Sequence, residues 1–519
     1  MLQLKERAKC YMPSPATSDE AHGGVAPARL LFQNILQGST LYSLAIIGSA
    51  LVSIILLPVN TRFLDKTDFG VLDLLERVSI AVTFLLGLNF SAALGYFYFS
   101  KSSLEERAPV VGTMFAGSLL MGALAGGAGL IFADRISQMV FRSPDYATYL
   151  RVVFATLPFG FVAEIGMSWL RVEDRTGAFV RASFFRLGVI LIGTLVGVAA
   201  LHLRVWGILS ANIAAGGLTA LILTVYCFRI YSFVFEWALF MRIVRFAVPL
   251  GLSGIALFII HFGDRFIIPH FRPLSDLGIY SIAYKIGMLI SVVHASFQNY
   301  WNAQVYQIAK RHDADSVVAR TFSYLMLILS FCGLGLIVAA KPTLRILSAP
   351  AFWDAALLVP VIVMAYYARA VGDFFRCIFL VEGRPGYDAA CNWIGAGVCL
   401  AGYFALIPRW GIWGAAVATL ITFLVIGVIS VIWVHRLKPF SVENGRLWKI
   451  VVAAAAPLGA YFLVPISSLW AQIGWSALLL LAYPMLLALM RFPTPAEWDL
   501  LHSLPLRLRV RLGFPHSIQ

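Results

Sequence analysis

The sequence predicts an all-α integral membrane protein with about fourteen transmembrane helices: two pseudo-symmetric six-helix lobes and two C-terminal helices. Three observations predict it. The composition is too apolar for a soluble chain, fourteen apolar runs are each long enough to cross a bilayer, and a set of short motifs recurs once along the chain.

Of 519 residues, 60% are hydrophobic and 13% are charged, against about 25% charged in an ordinary soluble domain. So few charges do not cover the surface of a soluble protein of this length. The mean hydropathy of +0.83 fits repeated bilayer crossing. The net charge of +14 does not mark a nucleic-acid binder, because no block of five or more basic residues occurs. Instead Lys and Arg sit one to three at a time between apolar runs, as in the cytoplasmic loops of membrane proteins. The six cysteines (Cys10, Cys227, Cys332, Cys377, Cys391 and Cys399) form no CxxC pair. They read as small buried hydrophobes, and neither a disulfide framework nor a metal site is expected.

A span takes about 20 residues. The first six runs lie at 35–58, 71–98, 109–133, 149–170, 183–201 and 205–228. Six more lie at 246–268, 277–303, 321–340, 357–380, 389–408 and 411–434, and a final pair at 448–466 and 472–490. The implied boundaries are a polar cytoplasmic tail at 1–30, an N-lobe at 31–232, a C-lobe at 233–440, the terminal pair at 441–490 and a basic tail at 491–519. The first tail, broken by Pro13, Pro15, Gly23, Gly24 and Pro27, has no apolar core of a signal peptide. With the N-terminus inside, the cytoplasmic connections and tails carry about 25 basic residues and the opposite loops about 10. Both termini are therefore expected in the cytoplasm. Arg507, Arg509 and Arg511 alternate with apolar residues and read as a headgroup-facing segment or a loose tail.

The halves repeat. Thr67-Asp68-Phe69-Gly70-Val71 after span one recurs as Ser275-Asp276-Leu277-Gly278-Ile279 after span seven, an offset of 208. Seven residues beyond each Gly stands a base, Arg77 or Lys285. Glu173-Asp174-Arg175-Thr176-Gly177 recurs at an offset of 209 as Glu382-Gly383-Arg384-Pro385-Gly386, and Trp206-Gly207-Ile208 at 204 as Trp410-Gly411-Ile412. Three matches in one order at nearly one offset indicate duplication, a transporter plan. The Asp-x-Gly elements read as helix starts with an Asp cap. For Glu173, Arg175, Glu382 and Arg384 two readings stand: charged turns, or a cytoplasmic gate that latches the lobes together.

Asn60-Thr61-Arg62-Phe63-Leu64 running into Asp68-Phe69-Gly70, Phe246-Ala247-Val248-Pro249-Leu250, and Asp264-Arg265-Phe266-Ile267 carry a family resemblance. With the Glu-x-Arg-x-Gly elements, they make residues 30–490 resemble the polysaccharide-transporter branch of the multidrug/oligosaccharidyl-lipid/polysaccharide flippase superfamily. The resemblance implies a MATE-like fold with a central cavity. It also implies alternating access for an undecaprenyl-diphosphate-linked oligosaccharide in a bacterial plasma membrane. Membrane lipids, a polysaccharide polymerase and glycosyltransferases are the expected partners, with no cofactor. A drug or organic-cation antiporter and a lipid II flippase are the alternatives within the fold.

Charges at membrane depth are costly unless paired or wet, so function is sought there. Arg369, Asp373 and Arg376 share one face of span ten. They form either a net positive site for a diphosphate or a self-neutralising triad. Glu164 and Asp373 occupy repeat-equivalent positions, nine residues before Glu173 and Glu382, and are candidates for coupling. No base lies within one helical turn of Glu164, which leaves it protonated or paired with another helix. Adjacent Asp264 and Arg265, near His261, are expected to need separate partners, with Asp264 part of the charge network. Arg62 and Arg265 flank an outer mouth or snorkel to the interface. In span eight His294, Gln298, Asn299 and Asn302, with Tyr300 and Trp301, suit either sugar recognition or helix–helix hydrogen bonds. Span two adds Asn89 and Ser91. The chain has no GxxxxGK[ST], HExxH or GxSxG motif, and no connection holds a catalytic domain. A transporter is expected rather than a membrane glycosyltransferase.

Overall fold

The computed structural model describes residues 48–49, 51–86, 90–438 and 441–493. The expectations for the N-terminal tail, Cys10, Asn89 and the arginines at 507, 509 and 511 lie outside the described residues.

The N-terminal half comprises α1 (Leu51–Phe63), α2 (Lys66–Leu86), α3 (Phe90–Phe99), α4 (Leu104–Val140), α5 (Ala147–Val172), α6 (Thr176–Thr194, prolonged by a π-helical segment Leu195–Ala200) and α7 (Val205–Phe228). The second half comprises α8 (Trp237–Phe271), α9 (Leu274–Gly287), α10 (Ile290–Ile308), α11 (Ala314–Leu347), α12 (Ala355–Val381), α13 (Pro385–Trp410) and α14 (Ile412–Leu437). A final pair, α15 (Asn444–Leu463) and α16 (Leu469–Leu489), packs on α11. Every expected span carries helix. Among the described residues eleven helices are each long and apolar enough to cross a membrane, or twelve when α9 and α10 count as one span bent by 44°.

Expected span eight is corrected in one respect, since it divides in two, α9 and α10; the residues between α2 and α3 lie outside the described ones. Apolar character runs through the division, so hydropathy does not register it. Span two carries Asp73, Glu76 and Arg77 inside α2, placing charge where lipid alone would not tolerate it.

The two Asp-x-Gly helix starts meet at the junction of the lobes. A Cβ on Gly70 would lie 2.1 Å from the Leu274 carbonyl oxygen, and one on Gly278 would lie 1.9 Å from that of Lys66. The two backbones therefore cross reciprocally, each glycine making room for the other helix. Asp65 and Asp68 fix the start of α2 as a capping box: the Asp68 N–H donates to Asp65 at 2.8 Å, and the Asp65 N–H donates to Asp68 at 3.1 Å. Arg204, in the α6–α7 turn, bonds both carboxylates. Around the crossing, Phe69 packs edge-on against Phe352, with centroids 4.9 Å apart, and the Ala349 N–H donates to Thr61 at 3.3 Å. The lobes are thus sealed together at this end.

Helix α8 joins them along its length. Its 35 residues extend about 52 Å at 1.5 Å each, well beyond a hydrocarbon core of about 30 Å. The first half fits the N-lobe, where a Cβ on Gly117 would meet the Phe240 ring at 2.7 Å. The second half buries Ile260 and Ile268 in the core shared with α9 to α14.

Candidate functional site

A cavity of about 860 Å³ lies in the N-lobe and is bordered on one side by α9. Five charged residues line it: Asp73 and Glu76 from α2, Glu164 from α5, Arg186 from α6 and Lys285 from α9. At 1.5 Å per residue Glu76, Glu164, Arg186 and Lys285 stand about 12–17 Å along their spans from the nearer membrane end, close to the middle of a bilayer. Asn60, Ser91, Ser118, Thr156, Asn212 and Ser281 add hydroxyls and amides, while Phe84 and Phe159 expose ring faces.

The pairing of these charges is uneven. Asp73 lies 3.2 Å from Arg77 and 3.2 Å from Arg265, and Glu76 lies 3.4 Å from Arg77. Glu164 lies 3.7 Å from Arg171. Among the described residues Arg186 and Lys285 have no ion pair and no hydrogen bond; Lys285 is exposed to the cavity, with its ammonium 5.5 Å from the Phe69 ring. The unpaired charge facing the cavity is therefore positive. The nearby oxygens of Asn60 (Oδ1) and Ser118 (Oγ) are buried without a partner.

A buried network beside the cavity ties the lobes together. Arg265, 3% exposed, donates to Asp264 at 2.7 Å and faces Asp73 of the other lobe; Tyr280 donates its hydroxyl to Asp264. The Tyr284 ring lies 4.2 Å from the guanidinium carbon. This corrects two expectations. Asp264 and Arg265 do not need separate partners, because the long arginine side chain folds back onto its neighbour. Arg265 does not stand at an open mouth, because Asp73 and two tyrosines enclose it. Arg62 is exposed at the end of α1.

The span-ten group sits elsewhere. Arg369 and Arg376 reach Asp373 at 3.2 and 3.3 Å, and Arg376 also reaches Asp388 at 2.6 Å and Asn392 at 2.7 Å. Asp388, from α13, balances the second arginine, so the expected net positive site is neutral. None of these residues lines the cavity. Trp301 is buried, donating to Cys377 at 2.9 Å and stacking on Phe374 at 4.8 Å, while Gln298 donates to the Asp373 carbonyl at 3.3 Å and to Asn302 at 3.0 Å. His294 is buried and Asn299 exposed. Trp301 and Gln298 thus dock α10 on α12. Glu164 faces Arg171 at 3.7 Å, two turns along its own helix, which is neither of the two expected arrangements, a protonated carboxyl or a partner on another helix.

Glu173 accepts hydrogen bonds from Tyr98 at 2.8 Å, from Tyr231 and from Arg175 at 2.7 Å, and Arg175 donates to Tyr226 at 2.8 Å. Burial raises the Glu173 carboxyl, but the two phenols and the guanidinium outweigh it and hold it below the usual carboxylate range. These partners join the ends of α3, α5 and α7 within one lobe, so the latch expected between lobes is a clasp inside the N-lobe. Its repeat counterparts Glu382 and Arg384 are exposed. Asp313-Ala314-Asp315, a carboxylate pair that sequence reading passed over, opens α11; there Asp313 bonds Arg311 at 2.8 Å on an exposed turn. Arg186 was passed over too. It lies at the start of an apolar run, where a base reads as a span edge; its depth along a helix that begins at Thr176 is the signal that marks it.

Comparison with solved structures shows the fold. The chain is similar to a lipid II flippase, MurJ, in an inward closed conformation, with a TM-score of 0.71, 13% identity, and coverage of 86% of this chain and 98% of that one. It is also similar to an inward-facing multidrug resistance MATE family transporter of the MOP superfamily (TM-score 0.62, 16% identity, 77% and 94% covered) and to MATE in a straight conformation (TM-score 0.54, 16% identity, 77% and 96% covered). No curated protein matches the chain significantly in sequence. The profile of the family described as polysaccharide biosynthesis protein matches residues 35–299. The chain belongs to this polysaccharide biosynthesis protein family.

Proposed function

We propose that the chain is a flippase that moves an undecaprenyl-diphosphate-linked oligosaccharide, a unit of O-antigen, capsule or exopolysaccharide, from the inner to the outer leaflet by alternating access. The observation that carries this reading is the pair Arg186 and Lys285, cations that have no counter-ion among the described residues and face a cavity of about 860 Å³ at membrane depth. A charge there is stabilised by water or an opposite charge, and a diphosphate supplies the latter. Arg binds phosphate oxygens as a fork and Lys as a point charge. The hydroxyl, amide and aromatic lining suits sugars. Closure at the α2–α9 crossing, with more basic residues in the connections at the other end, fits an inward-open state with both termini cytoplasmic in a bacterial plasma membrane. Glycosyltransferases would act before the transport step and a polymerase after it.

The three acids of the cavity are the observation that favours an organic-cation antiporter. Each has an arginine within 3.7 Å, however, and the two cations have no such partner. A lipid II flippase shares the diphosphate chemistry. The test is transport by the purified protein in proteoliposomes. The expected result is flipping of a fluorescent polyprenyl-diphosphate oligosaccharide and no uptake of ethidium against a proton or sodium gradient. Ethidium uptake without lipid flipping would overturn the proposal.

A further inference from the structure

Glu76 and Glu164 both face the cavity with more than half of the side chain exposed, 59% and 58%. Their arginine neighbours lie at 3.4 and 3.7 Å, and among the described residues neither carboxylate accepts a hydrogen bond. Arg77 spends its hydrogen bonds on Asp73, and Arg171 donates to Ser168 at 2.8 Å. Each glutamate therefore holds about four acceptor sites open to the cavity.

A second observation points to a ligand. The Ser118 hydroxyl, on a residue 1% exposed, lines the same cavity without a partner. Open donors (Arg186, Lys285) and open acceptors (Glu76, Glu164) thus share one chamber. The matching ligand has oxyanions at one place and several O–H or N–H donors beside them.

Resting on the flippase reading above, we infer that Glu76 and Glu164 select the sugars nearest the diphosphate, accepting neutral or N-acetylated residues through their hydroxyl and amide donors and rejecting uronic acids. Like charges brought together disfavour binding, and specificity is commonly built from such a repulsive element. A carboxylate sugar would meet two acids already flanked by Asp73, whose own charge is held by Arg77 and Arg265. A neutral pyranose would instead satisfy both glutamates.

The test compares two synthetic fluorescent polyprenyl-diphosphate disaccharides that differ only in the second sugar, glucose or glucuronic acid, flipped by the full-length protein in proteoliposomes. The expected result is a preference for the neutral compound of about tenfold or more. Glu76→Gln and Glu164→Gln, singly and together, should raise the acid-to-neutral rate ratio toward one. Because the readout is a ratio within each variant, a change in overall rate does not blur it, and the wild-type comparison needs no variant to fold. If the wild type flips both compounds equally, or the ratio is unmoved in the double variant, the selectivity inference is overturned while the flippase reading stands. If the wild type flips neither, the flippase reading fails and takes the inference with it.

Discussion

Asp73 and Arg265 belong to different lobes, are 3% exposed and lie 3.2 Å apart without hydrogen-bond geometry between them. Removing Arg265 leaves two buried carboxylates, Asp264 without its base and Asp73 with Arg77 alone, at a cost of about 3–5 kcal/mol, and neutralising one of them offsets part of it. Arg265→Met should therefore lower the unfolding temperature in detergent markedly, and Asp73→Asn in the same chain should restore part of the loss. Additive losses would show that the two residues do not act as a pair. Glu173 answers to pH with a defined sign. Its carboxyl is held below the usual value of 4.5, so its stabilising effect is complete above that value and fades as the pH falls below it. Glu173→Gln should flatten the acid side of a stability–pH profile and leave its slope above pH 5 unchanged, roughly where ordinary carboxylates have finished titrating. An unaltered acid limb would remove Glu173 from the clasp. At this scale the sequence was least legible. Spacing showed that Arg369, Asp373 and Arg376 share a face, but not that Asp388 on the following helix completes the balance. Likewise one-helix geometry hides the reach of Arg265 to Asp73.

Helices α2 and α9 are positioned by two glycines whose missing side chains let the backbones touch. Leucine at 278 would have to displace the Lys66 carbonyl, so the crossing must open. In a strain expressing Gly278→Leu with Ser281→Cys, a membrane-impermeant maleimide applied from outside should label position 281 several times faster than with Ser281→Cys alone. Equal labelling would mean that the crossing does not seal that side. The elements themselves were legible, because each span is an apolar run and the Asp-x-Gly repeat marks the two helix starts that meet. The division within span eight was not, since apolar character continues through it and nothing in a hydropathy pattern reports a bend of 44°.

Across the whole molecule, duplication gives the two halves a common plan that they use differently. The cavity takes most of its lining from the N-lobe, and α9 supplies Ser281 and Lys285 across the junction. In the C-lobe, Arg369, Asp373, Arg376 and Asp388 neutralise one another between helices. The sequence marked the span-ten cluster, Glu164 and the repeat pair Arg77 and Lys285, but not Asp73, Glu76 or Arg186. Which cluster faces open space depends on how helices rotate against each other, and no periodicity within a single helix sets that. The anion site proposed here therefore lies at Lys285 and Arg186 in place of span ten. The most direct measurement is flipping of a fluorescent polyprenyl-diphosphate oligosaccharide by reconstituted Lys285→Ala, Arg186→Ala and Arg376→Ala variants of matched thermal stability. The account predicts a loss of about tenfold or more for each of the first two and near wild-type flipping for Arg376→Ala. Wild-type rates in both Lys285→Ala and Arg186→Ala would contradict it.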